Sequence, residues 1–433
     1  MIYKKQYDGQ INIKKNRISL LITGLQLLTI SYCQLSSAQE VQKIRIDPAQ
    51  AYGGNVSEYF DSIEYIPLES KKESLFGDVS NLIITDYSIV IYDYDTQSLL
   101  FFNLKGSFIR KIQYKPMSSI GLSFIKDQNS IIASVYDPNK RKTEIKQYTP
   151  LGESKSDQVF NKIKEVENSN LIPMGGNYYL ISGNCFLPDN KKINDTVYHM
   201  LNIYKNDSLY KSFIPFSQQK NLAASMIRSY MVINQMSTDG FFYTATPLDF
   251  YVYKVSRDNA KVAFKFIFPY NRALTEKDIL SQDRKHLNSI KMHLSLDETT
   301  ILGVSNIFYY NDLLFFKLDT RVKITRFGSE SKYQYNFIYN IKNKKLVSME
   351  RLNPDEGTCF LPIFDKSLTV NGIYRYGDKF YTSISALSLF SAKTSIKDKE
   401  IIFPKSLTDF FYFNNRKSNP VIIRMKVKSK NVN

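Results

Sequence analysis

Tryptophan is absent from this chain of 433 residues, and histidine and cysteine occur three times each. So little histidine argues against a catalytic zinc site. His286 and His293 lie seven residues apart on an expected helix, about two turns, too far to share one ion, and His199 stands alone. Cys33 falls in the expected N-terminal signal, leaving Cys185 and Cys359 far apart in sequence. An oxidising compartment would permit one disulfide between them, but the spacing does not demand it, and two free, buried thiols are expected. Neither cysteine has a nearby histidine, and there is no Gly-x-Ser-x-Gly elbow. Gly53-Gly54 and Gly175-Gly176 lack the Lys-Ser/Thr pattern of a phosphate loop. No metal and no cofactor is therefore expected.

Long apolar runs are equally scarce. The one candidate, residues 18–30, follows Lys4, Lys5, Lys14, Lys15 and Arg17 and precedes Ser36-Ser37-Ala38. It is too short to cross a bilayer, and basic flank, apolar run and small-residue site together predict a signal peptide over 1–38 with Gln39 as the new N-terminus. Cys33 is a candidate lipidation site, although Tyr32 before it is bulky where processing prefers a small residue. The expected location is the periplasm or the outer membrane, with membrane contact only through such an anchor.

Cations outnumber anions, 58 Lys and Arg against 41 Asp and Glu, a net charge of +17. Residues 1–38 hold five of the cations and one Asp, so the remainder carries about +13. Apart from short clusters such as Lys140-Arg141-Lys142, these cations are spread along the chain. That distribution describes a solvated basic surface, and no nucleic-acid partner is expected.

What the chain does have is strands. Thirty-one Tyr and 29 Phe accompany abundant Ile and Val. From Val79 one phrase repeats: two apolar runs, then two increasingly amphipathic ones, each bounded by turn formers. The clearest copy has runs at 79–85, 88–92, 99–104 and 108–114, a four-stranded meander. The phrase restarts near Leu122, Leu171, Met231, Leu302 and Phe360, at intervals of roughly 40–70 residues. Six such units predict an all-β fold, a six-bladed β-propeller with short helical insertions, as a single monomeric domain over 39–433. Tandem β-sandwiches are the competing architecture. Helices are expected at 217–230, 275–293 and 405–413, and the ring should close by joining 63–68 to 421–427 in one blade.

The decade Phe60-Asp61-Ser62-Ile63-Glu64-Tyr65-Ile66-Pro67-Leu68-Glu69 resembles the opening of the Bacteroides-type six-bladed β-propeller family. Residues 98–102 with Lys105-Gly106-Ser107-Phe108-Ile109-Arg110-Lys111-Ile112 are similar to its first blade, and Ser418-Asn419-Pro420-Val421-Ile422-Ile423 to its closing strand. The resemblance covers both ends and the first blade, and the middle by rhythm alone. It implies a fold and an exported, often lipid-anchored protein. It implies no activity. The family's Gly-rich phrase after the first blade is replaced here by 115–121, KPMSSIG.

Candidate site residues are few. Asp93-Tyr94-Asp95 resembles the start of an oxygen-ligand loop but lacks its Gly and distal Glu. Asp93 and Asp95, with Asp137 at the equivalent place in the second blade, are read as turn-capping residues. The aromatic pairs Tyr309-Tyr310 and Phe315-Phe316, and Phe241-Phe242-Tyr243, are read as blade packing. Arg321, Lys323 and Arg326 alternate after the second strand of the fifth unit. Together they would supply a local positive field, suited to carboxylate or phosphate; a charged, solvated strand edge explains them as well. The expected function is a non-enzymatic binding or scaffold propeller of the cell envelope, its partner an envelope protein or an anionic ligand. The alternative is a hydrolase or lyase acting on an anionic polymer such as an acidic glycan, since propellers draw paired acids from different blades.

Overall fold

A strand that is apolar on both faces must be covered on both, whereas an alternating strand can leave one face to water. The computed structural model shows this gradient in the first sheet. Ser88–Asp93 is buried at every residue and Ser98–Asn103 at all but its last, while Phe108–Gln113 is half-buried or exposed throughout. With Asn81–Ile84 these strands pair antiparallel in chain order. The described residues are 41–428 except 116–118, 138–141, 156–170, 175–176, 183–197, 207, 228, 230–239, 295–296, 298, 321–334 and 366–371.

Six such sheets stand in a ring, a six-bladed β-propeller. The second contains Ser119–Ile125, Ser130–Asp137 and Lys142–Tyr148; the third contains Leu171–Pro173, Tyr178–Ser182, Tyr198–Lys205 and Ser208–Phe216. The fourth joins Phe241–Ala245, Tyr251–Ser256 and Ala260–Ile267 to Gln42–Arg45. The fifth runs Ile301–Tyr310, Leu313–Thr320, Asn336–Asn340, Leu346–Asn353, with Tyr52–Asn55 added in parallel. The sixth contains Tyr374–Tyr376, Lys379–Ile384, Val421–Val427 and Phe60–Pro67. First strands neighbour one another around the axis: Tyr374–Tyr376 beside Asn81–Ile84, that beside Ser119–Ile125, and that beside Leu171–Pro173.

Phe60–Pro67 pairs antiparallel with Val421–Val427 from Val421↔Pro67 to Val427↔Phe60. Two earlier strands, Gln42–Arg45 and Tyr52–Asn55, have no counterpart in the sequence reading. Their segments, QKIR and YGGN, are short and poor in strand formers. The N-terminal stretch therefore adds an edge to three successive sheets. A Cβ on Gly53 would stand 2.6 Å from the Arg351 carbonyl, so glycine lets this strand approach its neighbour.

Motif residues lock the first sheet to the sixth. Gly106 has φ 87°, and a Cβ there would stand 2.0 Å from the Pro67 carbonyl. Its own carbonyl accepts the Glu69 N–H at 2.8 Å, and the Glu69 carboxylate accepts the Phe108 N–H at 2.8 Å. The Lys-Gly-Ser-Phe turn is thus the seam between the two sheets.

Three expectations shift. The sixth unit's first strand begins at Tyr374, because Cys359 and Phe360 are both left-handed (φ 52° and 56°) and turn the chain away from a strand. Leu361 and Ile363 are buried just beyond, where the Tyr65 hydroxyl donates to the Leu361 carbonyl at 3.0 Å. The expected helix at 275–293 is two, Glu276–Ile279 and Arg284–Leu294, tied by His286 Nε2 to Asp278 at 2.9 Å. The sixth sheet also contains an unforeseen helix, Ala386–Ser395, capped by Ser385, before Lys405–Phe413. Gln218–Ile227 lies within the expected 217–230.

Candidate functional site

Side chains of the first strands, and of the turns that follow them, meet across the sheets in a cluster near the axis that draws on five of the six. From the sixth comes Tyr374-Arg375-Tyr376, ending at a turn where Gly377 has φ 62°. Alternation along the strand sends Arg375 one way and the two tyrosines the other. The Tyr376 hydroxyl donates to Asp86 Oδ1 of the first sheet at 2.9 Å. Phe124 of the second sheet tilts against the same ring at 6.4 Å, and Lys126 Nζ stands 5.8 Å from its centre. The Arg375 guanidinium lies 5.0 Å over the Tyr310 ring of the fifth sheet, while its Nε donates to the Gly377 carbonyl at 2.9 Å. Tyr243 of the fourth sheet feels the charge of Arg375 and neighbours Tyr309, whose hydroxyl donates to Asp312 at 3.1 Å.

Burial is the main force on the phenols. It pushes Tyr243 up to about 12, Arg375 opposing. Tyr374 and Tyr376 lie well above their ordinary value, also chiefly through burial, with the Asp86 hydrogen bond raising Tyr376 further. These hydroxyls therefore keep their protons at neutral pH. The hydroxyls of Tyr376 and Tyr309 are already committed to Asp86 and Asp312, so the phenols offer flat faces, with Arg375 and Lys126 supplying positive charge; together these suit an anion that also carries an apolar face.

Tyr309 and Tyr310 are half-buried beside Arg375. Phe242, Phe315 and Phe316 are fully buried packing residues. Of this cluster, sequence reasoning passed over Arg375 and Lys126, whose signal was a cation at the end of a first strand or just beyond it, before a turn.

Asp93 and Asp95, singled out from sequence, lie in the turn at the other end of the first sheet's second strand. Asp93 is fully buried. Its carboxylate accepts the N–H groups of Gly77, Asp78, Asp95 and Thr96 at 3.2–3.3 Å and the Thr96 hydroxyl at 2.6 Å. Asp95 is in the same turn, its carboxylate beside Gly77. Asp137 is the last residue of its strand, paired with Lys142; the turn beyond it lies outside the described residues. Arg321, Lys323 and Arg326 lie outside the described residues too, following the strand that ends at Thr320, and so do Cys33 and Cys185. Cys359 carries a free thiol, its pKa pushed up by burial. Among the described residues no group of three His, Cys, Asp or Glu could hold a metal ion, and no helix is long and apolar enough to cross a membrane.

Among solved structures, the chain resembles a candidate exported protein of Bacteroides fragilis. The two share 14% identity and a TM-score of 0.58, over 89% of this chain and 100% of that one. A member of the DUF4221 family from Bacteroides vulgatus aligns at 11% identity and TM-score 0.41, over 85% and 99%. Virginiamycin B lyase from Staphylococcus aureus aligns at 10% and 0.32, over 84% and 99%. The first likeness shows the fold alone, and the other two are too remote to bear on function. No curated protein matches the chain. Residues 43–426 match the model of a domain of unknown function, DUF4934, and the chain belongs to that family, a Bacteroides-type six-bladed β-propeller.

Proposed function

We propose that this protein is an exported, non-enzymatic binding propeller of the bacterial cell envelope, and that it takes an anionic ligand at the axial cluster of Arg375, Lys126 and the tyrosines around them. Export is supported by the N-terminal pattern of residues 1–38 and by the B. fragilis protein of the same fold, itself a candidate exported protein. The observation that carries the binding reading is a pair of cations set against tyrosine rings across neighbouring sheets: Lys126 beside Tyr376 and Arg375 over Tyr310, with Arg375 and Tyr376 adjacent in one strand. Phenols held above their ordinary pKa are poor bases at neutral pH, so this arrangement suits recognition better than proton transfer.

The test uses protein beginning at Gln39, with oligogalacturonate and inorganic phosphate as probes in a thermal-shift titration. The parent should be stabilised by at least one probe, and Arg375→Gln with Lys126→Gln should weaken that by roughly tenfold or more. No shift with either probe, or an equal shift in the variant, overturns the site. Shortening of the oligogalacturonate during the assay would overturn the non-enzymatic part of the proposal.

A further inference from the structure

The helical insertion of the sixth sheet exposes what a soluble helix normally covers. In Lys405–Phe413, Leu407, Phe410 and Phe411 are buried against Leu389 and the partly buried Phe390 and Phe403. The helix then ends on Tyr412 and Phe413, 81% and 75% exposed, their rings edge to face at 4.8 Å. Exposed Arg416 and Lys417 follow at once. This tip is held in place. The Asn415 N–H donates to Ser418 Oγ, and its side chain accepts the Lys417 N–H at 2.9 Å. Asn419, fully buried, bonds to the carbonyls of Glu69 and Ser74 and to the Phe76 N–H. Ahead of the same helix, Ile402 is 96% exposed.

We propose that this insertion docks the propeller on an anionic bilayer surface, with Tyr412 and Phe413 entering the headgroup layer and Arg416 and Lys417 meeting lipid phosphates. Charge complementarity selects the occupant: residues 386–420 hold six Lys or Arg against three Asp or Glu, and interfacial aromatics beside cations are the composition that anionic membranes attract. Rings this exposed stand proud of the surface. A folded partner would need a pocket shaped for each, whereas a bilayer deforms around them. The contact is separate from the axial cluster and needs no lipid on Cys33.

Residues 43–433 form one compact unit, so protein beginning at Gln39 can be sedimented with phosphatidylcholine vesicles, with and without phosphatidylglycerol. The parent should pellet with the anionic vesicles and be released by salt. Tyr412→Ser with Phe413→Ser should bind about tenfold more weakly or less well still, and Arg416→Gln with Lys417→Gln about fivefold more weakly per cation. All variants should melt like the parent, since the changed side chains are exposed. A parent that stays in solution overturns the proposal, as does a Tyr412/Phe413 variant that pellets equally. Loss of an envelope protein from pull-downs with that variant, vesicle binding being unchanged, would assign the tip to a protein partner instead.

Discussion

The first and sixth sheets reach the same four-stranded form by opposite routes. The first is one continuous meander, in which each strand pairs with the next across a short turn and the buried Asp93 gathers N–H groups from residues 77–96. The sixth is assembled from three distant parts of the chain: 374–384, 421–427 and 60–67. Its buried polar hub, Asn419, bonds to residues about 345 positions away. A sheet made of local contacts costs little loop-closure entropy and can form early; one that waits for both chain ends forms late and carries the closure of the ring.

That difference is broken most severely by ending the chain after Asn419. The lost strand lies between Lys379–Ile384 and Phe60–Pro67, and Val421, Ile422, Ile423, Met425 and Val427 are all at most 1% exposed. Five buried apolar side chains amount to roughly 10 kcal/mol, as much as a whole domain's typical stability of about 5–15 kcal/mol. The truncated protein should lose its cooperative melt and aggregate through two unpaired edges. A melt like the parent's would show that the sixth sheet is not what closes the ring. A milder version is Asn419→Ala, which leaves two buried carbonyls and the Phe76 N–H without this partner. It should cost about 2–3 kcal/mol of stability, read by chemical denaturation, with unfolding accelerated more than folding is slowed. A change in the folding rate alone would place this joint early rather than late.

The same contrast explains what was legible. Runs bounded by turn formers expose a meander directly, so the strands of the first sheet fall within a residue or two of their expected limits. Helix 405–413 is legible for a like reason: Pro404 opens it, and its apolar residues recur at helical spacing. Edge strands such as Gln42–Arg45 and Tyr52–Asn55 were not. They draw their hydrogen bonds from a distant sheet, and their own residues carry no strand signal. The axial cluster was hidden for the same cause. Arg375 is an ordinary strand residue in sequence, and its meaning comes from Tyr310 and Tyr243, more than 60 and 130 positions earlier.

The smallest effect concerns charge beside the Asp93 turn, where the first and sixth sheets meet again. Partial burial of the Asp78 carboxyl raises its pKa, as do the nearby carboxylates of Asp365, Asp93 and Asp95, against the hydrogen bond it accepts from the Val79 N–H at 2.8 Å. Asp365 precedes the sixth sheet's first strand and accepts the Ser385 N–H, so the repulsion spans the two sheets. A carboxyl with a raised pKa holds its proton more tightly in the folded state. As pH climbs from the ordinary carboxylate range through that raised value, the unfolded chain has already released a proton that the folded one keeps, and stability falls. Asp78→Asn cannot titrate and keeps an oxygen to accept the Val79 N–H. It should therefore match the parent below the ordinary carboxylate range and be the more stable protein at neutral pH. The residue is exposed to water, which screens the repulsion, so the gain should stay within about 0.5 kcal/mol and shrink with added salt. Chemical denaturation of both proteins across acid and neutral pH measures it. A gain that is the same at every pH would trace to packing or to the denatured state, and a loss at neutral pH would mean that the ionised carboxylate stabilises the seam.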